Sequence, residues 1–133
     1  MVSAVADTHT IVWYLFSDHR LSSNARDAIE GAAASGDQVA FSAITLAEIV
    51  YLAEKGRIQS TTYSRLIAAI GAQDAVLTVI AFHEAVAGYL HRVGRDQVPD
   101  MPDRIIAATA LALGMPLISR DSKIRLSGVS TIW

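Results

Sequence analysis

Asp100-Met-Pro-Asp-Arg-Ile-Ile-Ala-Ala-Thr-Ala-Leu-Ala-Leu-Gly-Met-Pro-Leu-Ile-Ser-Arg-Asp121 is the stretch on which the fold of this chain turns. Asp103, directly after Pro102, opens a helical pattern that runs to Leu113. Gly114 stands just past its end, where helices commonly stop in the left-handed conformation. Met115 to Ser119 is short and apolar, the mark of a buried strand, and an acid, Asp121, follows it. Helix, turn, strand, acid is the grammar of an α/β fold. In open α/β sheets the carboxyl ends of the strands share one edge, and ligands bind there.

Working outward, the same alternation recurs. Val2 to Ala6 predicts a first strand and Thr8 to Phe16 a first helix. A second helix begins at Ser22 or Ser23 and ends near Ala34, before Ser35-Gly36-Asp37. Gln38 to Ser42 and Ala75 to Ile80 predict strands, and two helices, Thr45 to Glu54 and Ser60 to Ile70, lie between them. Phe82 to Val93 predicts an amphipathic helix, Gly94 to Pro102 a loop, and Val129 to Ile132 a short last strand. Strands separated by helices require crossover connections. The expected fold is therefore a three-layer α/β/α sandwich on a mostly parallel sheet of four or five strands, spanning residues 1–133 as one domain.

That architecture places four acids on one edge: Asp7, Glu48, Asp103 and Asp121. Each follows a short apolar run, opens a helical pattern, or does both. Clustered carboxylates repel, by roughly 4 kcal/mol per pair about 4 Å apart at an effective dielectric of about 20. They persist together only with a neutralising cation or with protons on some members. Each also has a plainer reading. Thr45-Leu-Ala-Glu48 is a capping box, Asp103 is a first-turn acid favoured by the helix dipole, and Asp7 and Asp121 are caps or turn residues. Four separate caps need not converge, and a hard divalent metal accounts for all of them at once.

Composition sets the surroundings. Apolar residues make up 52% of the 133, and mean hydropathy is +0.35. No run reaches the length of a membrane span, so the surplus points to a buried sheet and a surface that another chain covers. The start shows no basic segment leading into an apolar one, so no secretory signal is expected. Cysteine is absent, which excludes thiolate metal sites and suits the cytoplasm. None of the histidines has zinc-motif spacing in a fitting context. The formal charge of −2 excludes a generally basic nucleic-acid coat. One local basic patch remains, Arg120, Lys123 and Arg125.

Across nearly its whole length the chain resembles a PIN-domain ribonuclease, the toxin of a VapBC-type toxin–antitoxin pair. The resemblance is carried by Asp7-Thr8-His9 with Trp13, by Ser42-Ala-Ile-Thr-Leu-Ala-Glu48-Ile, by Asp103-Arg104-Ile-Ile-Ala-Ala, and by Leu117-Ile-Ser119-Arg120-Asp121, in order. It implies metal-dependent cleavage of a specific structured RNA. Asp7, Glu48, Asp103 and Asp121 would be catalytic, and Asp7, Asp103 and Asp121 would hold Mg2+ or Mn2+. Thr8 and Ser119 would brace the site, and Arg120, Lys123 and Arg125 would meet RNA. A cognate antitoxin and a homodimer or larger assembly are further implications. The residues from Ile58 to Arg95 match nothing in particular.

Other classes fit less well. A dehalogenase-type phosphatase needs a second acid two residues after Asp7, and His9 is there instead. A receiver domain needs paired acids before its first helix. A non-catalytic interaction module, with structural or merely metal-binding acids, stays open.

Overall fold

The computed structural model describes all 133 residues. Its sheet has five strands in the order β3-β2-β1-β4-β5: β1 Val2–Ala6, β2 Gln38–Ser42, β3 Leu77–Ile80, β4 Leu117–Ile118 and β5 Thr131–Ile132. Every neighbouring pair is parallel. The expectation of a mostly parallel sheet resolves to a wholly parallel one. The helices are α1 Thr8–Leu15, α2 Ser23–Ala34, α3 Ile44–Glu54, α4 Thr62–Gly71, α5 Glu84–Gly88, α6 Met101–Leu113 and α7 Ser122–Leu126.

Alternation along the strands divides the core in two. Ala4, Ala6, Val39, Phe41, Leu77 and Ile118 point to one face, which Ile11, Ile29, Ile49 and Leu66 of α1 to α4 cover. Val5, Ala40 and Leu117 point to the other, against Ile106, Ala107 and Ala110 of α6 and Ile124 of α7. Both faces are buried, as a parallel sheet requires, and the inner strands are accordingly mostly apolar, with Ser3, Gln38 and Ser42 as their polar members. Gly114 adopts φ +64 and closes α6, because a left-handed residue there costs glycine no steric strain.

Two segments depart from the sequence reading. The helix expected from Phe82 to Val93 is only the five residues of α5, followed by a 3-10 turn at Tyr89–Arg92. The Arg104 side chain explains the break, since it donates to the carbonyl oxygens of Leu90 and Val93 at 2.9 and 3.2 Å. Those acceptors are thereby satisfied outside a helix. Helix α7 was not foreseen; it is five residues long and begins where the Asp121 carboxylate accepts from the backbone N–H of Lys123.

Candidate active site

Asp7 ends β1 and caps α1, its Oδ1 accepting from the backbone N–H of Thr10 at 2.9 Å. Thr10 in turn donates its hydroxyl to the Ile118 carbonyl at 3.0 Å, tying the start of α1 to the end of β4. Beyond β4, the Ser119 hydroxyl accepts from the backbone N–H of Asp121 at 3.0 Å. This fixes the turn that carries Asp121. The plain readings of Asp7 and Asp121 are thus correct as far as they go. Each caps a helix through one carboxylate oxygen and keeps the other.

Asp7, Asp103 and Asp121 line one cleft of about 410 Å³, together with His9, Trp13, Arg20 and Arg120. Glu48 joins from α3 by another route. The Thr8 hydroxyl donates to its Oε1, and Thr45 Oγ1 lies 3.0 Å from Thr8 Oγ1. The capping-box reading fails here, because Ala43 takes the cap position of α3 and makes no side-chain cap bond. Thr45 and Glu48 instead face Thr8. Thr8 braces a carboxylate, as the sequence suggested, whereas Ser119 braces the backbone of a turn.

The electrostatics follow from crowding. Asp103 is pushed up to about 7, first by burial and then by Asp100, Asp121, Glu48 and Asp7 in decreasing order. Burial also pushes Glu48 up, with Asp100 and Asp7 adding to it, while the Thr8 hydroxyl and His9 oppose the shift. No ion pair in the molecule involves any of these acids. The arginine adjoining Asp103, Arg104, turns away to the carbonyls of Leu90 and Val93. Nor do any three acidic or histidine side chains close on one point as a ready-made metal cage. The acids stand around open space.

Sequence reasoning missed two features. Asp100 caps α6 by accepting from the backbone N–H of Asp103 at 3.0 Å, and its charge also reaches Asp103 and Glu48. Arg20 carried no signal at all. It reaches the cleft from the loop after α1, in which Ser17 takes a left-handed φ of 49. The expected basic patch is divided: Arg120 lines the acid cleft, and Arg125 lines a separate hollow with Ser122, Leu126 and Val129. Lys123 is exposed on α7.

Residues 4–127 match the family model for the PIN domain. The chain belongs to the PIN-domain family. This PIN domain is 29% identical over 134 aligned residues to the protein named Ribonuclease VapC22 of Mycobacterium tuberculosis, covering 94% of this chain and 92% of the relative. Its fold is that of the VapBC2 structure from Rickettsia felis bound to a promoter DNA fragment, with TM-score 0.71 at 20% identity over 98% of this chain and 97% of that one. A toxin–antitoxin complex from Klebsiella pneumoniae aligns with TM-score 0.67 and 25% identity, again over 98% and 97% of the two chains. No helix of this PIN domain is long and apolar enough to cross a membrane.

Proposed function

We propose that this PIN domain is a metal-dependent endoribonuclease, the toxin of a VapBC-type pair, which stops translation in the cytoplasm by cutting a specific tRNA or exposed rRNA loop. The observation that carries the reading is a cleft lined by Asp7, Asp103 and Asp121, where burial and the neighbouring acids push Asp103 upward and no acid forms an ion pair. An all-oxygen donor set of this kind suits Mg2+ or Mn2+, which keep several waters and need only one or two direct carboxylates, so an open arrangement fits them better than a closed cage.

Asp7, Asp103 and Asp121 would hold the cation, directly or through water. When bound, it supplies Lewis acidity that activates water and offsets charge on the phosphate. Glu48, held by Thr8, orients the attacking water. Attack on phosphorus in line, without use of the ribose 2′-hydroxyl, leaves 5′-phosphate and 3′-hydroxyl ends. A net charge of −2 gives little counterion release, so substrate choice depends on shape and on a few contacts, Arg120 and Lys123 among them.

The partner reading rests on α3 and α4, where Tyr51, Tyr63 and Ile67 are 55%, 41% and 39% exposed. An antitoxin segment lying there, with an arginine or lysine reaching the acids, would compete with metal and silence the enzyme; the toxin itself would dimerise. Incubation with total RNA and Mn2+, followed by mapping of the ends, tests the activity. Discrete cuts with 5′-phosphates are expected. Products ending in 2′,3′-cyclic phosphate would overturn the mechanism. Tight Mn2+ binding with no cleavage of any RNA would make the protein a non-catalytic module.

A further inference from the structure

Trp13 lies beneath the rim of the acid cleft, only 6% exposed, and two guanidinium groups rest against its ring. Arg20 stands 5.2 Å and Arg120 5.1 Å from the ring centroid. The two arrive from distant parts of the chain, one on the loop after α1 and the other on the loop after β4. Both line the cleft with Asp7, Asp103 and Asp121, yet neither pairs with any of these carboxylates. Arg20 gives Nε and Nη2 to Asp18 at 3.1 and 2.8 Å, which leaves Nη1 free. Arg120 pairs with no carboxylate.

Cations beside a crowded acid cluster are expected to turn onto it, yet Arg20 is held by Asp18 instead and Arg120 pairs with no carboxylate. Here the ring gives each guanidinium a competing attraction, about 0.5–1 kcal/mol at an exposed site. Arg20 keeps Nη1 free and Arg120 has no carboxylate partner, so a phosphate between them takes donors that no acid of the cleft uses. The buried Trp13 ring has no free face for stacking on a base. Guanidinium forks match phosphate oxygens. We infer that Arg20 and Arg120, braced on Trp13, grip a non-scissile phosphate of the substrate strand and set the register of the scissile one against the acids. This rests on the nuclease reading and adds a positioning pair to it. The grip is blind to sequence, since phosphate contacts position the strand without reading it. Arg20 also lines the adjoining hollow of about 350 Å³ with Arg57 and Gln59, which gives the strand its direction away from the cleft.

The test uses the full chain with a fluorescein-labelled, mixed-sequence RNA oligonucleotide, with Ca2+ in place of Mg2+ so that binding is read by anisotropy without turnover. Arg20→Ala and Arg120→Ala are each expected to weaken binding about tenfold. Together they should lower the slope of log affinity against log salt by about 0.7 for each phosphate no longer gripped. Arg120→Lys should recover only part of the affinity, because an ammonium cannot form the fork. Melting temperature should fall by the same small amount with and without Mn2+, so that the Mn2+-induced rise is unchanged, which separates this role from a metal-site one. The salt slope, which lost packing would not move, separates it from a structural one. Wild-type affinity and salt slope in the double variant overturn the inference while leaving the nuclease reading intact. So does a double variant that binds RNA normally and fails only to copurify with the antitoxin. A wild-type protein that neither binds nor cuts RNA overturns both.

Discussion

At the carboxyl ends of β1 and β4, acids crowd a polar cleft and none of them forms an ion pair, whereas on α3 and α4 the apolar side chains of Val50, Tyr51, Tyr63 and Ile67 stand 39–55% exposed. Both regions are unfinished, in opposite ways. The cleft raises the free energy of the fold through repulsion and desolvation, and only positive charge relieves it. The helical surface leaves apolar area in water, at roughly 25 cal/mol per Å², and only another apolar surface relieves that. On the proposed reading, one region takes an ion and a phosphate and the other a protein. Substitutions should separate the two.

The sharpest separation is catalytic. Asp7→Asn and Asp103→Ala are each expected to lower RNA cleavage roughly a thousandfold or more, about 4 kcal/mol of transition-state stabilisation, while antitoxin capture persists. Asn is the better choice at position 7, since its side-chain oxygen can still cap α1, whereas Ala there would also cost about 1 kcal/mol of helix stability. Full activity in Asp103→Ala would dissolve the contrast, because the cleft would then have no chemistry of its own. Contaminating nuclease is recognised by its indifference to either substitution.

Next in size is the response to metal. At about 100 times its dissociation constant Mn2+ should stabilise the fold by about 2.7 kcal/mol, and Asp7→Asn should remove most of that stabilisation. Melting curves in EDTA and in saturating Mn2+ decide it. Coincident curves would mean that the crowding is relieved by protons alone.

The two regions also differ in how far the sequence disclosed them. Asp103 and Asp121 were legible because local rules fix them: an acid after proline at a helix start, and an acid after a buried two-residue strand. Glu48 was legible as an acid but not in its role. The choice between capping its own helix and meeting Thr8 depends on how α3 packs beside α1, which no local pattern states. Arg20 was invisible for the same reason, since its place depends on how the loop after α1 folds back onto Trp13. The sequence reads as helix at Tyr89–Arg92, but the Arg104 guanidinium, more than ten residues further on in the chain, takes the carbonyls of Leu90 within the turn and Val93 just after it. Periodicity sees burial; it does not see which distant donor takes a carbonyl.

The apolar surface should respond in the complementary sense. Tyr63→Asp with Ile67→Asp is expected to weaken antitoxin capture by about 2 kcal/mol or more, as removal of an interface anchor does, with cleavage of free RNA unchanged. Leu66 and Ile49 are unsuitable for this test, being fully buried against the sheet. Co-expression and size-exclusion chromatography give the readout. An undiminished complex would place the partner elsewhere and leave the exposure of these side chains without a role.

The smallest expected effect is a pH dependence confined to the cleft. The Asp103 carboxyl titrates near 7 in the fold against 3.8 for the free group. Between those values the unfolded chain has released the proton and the native chain still holds it, so raising the pH favours unfolding. In EDTA, stability should fall as pH rises through this window, and Glu48, shifted the same way, adds to the slope. Asp18 moves in the opposite direction, held low first by its side-chain hydrogen bond from Arg20 and then by the Arg20 backbone N–H, but its contribution changes only below 3.8. Asp103→Asn removes the ionisation. Above the titration point this variant should therefore be more stable than wild type without metal, by about 1–2 kcal/mol, since water screens a half-buried carboxyl from its neighbours. Saturating Mn2+ should reverse the order, because wild type binds the ion and the variant binds it poorly. A crossing of the two melting series on adding metal is the signature of a group kept for chemistry at a cost in stability. If metal-free Asp103→Asn melts at or below wild type above pH 7, the carboxylates are not in one another's field, and the cleft is no less relaxed than the apolar helices beside it.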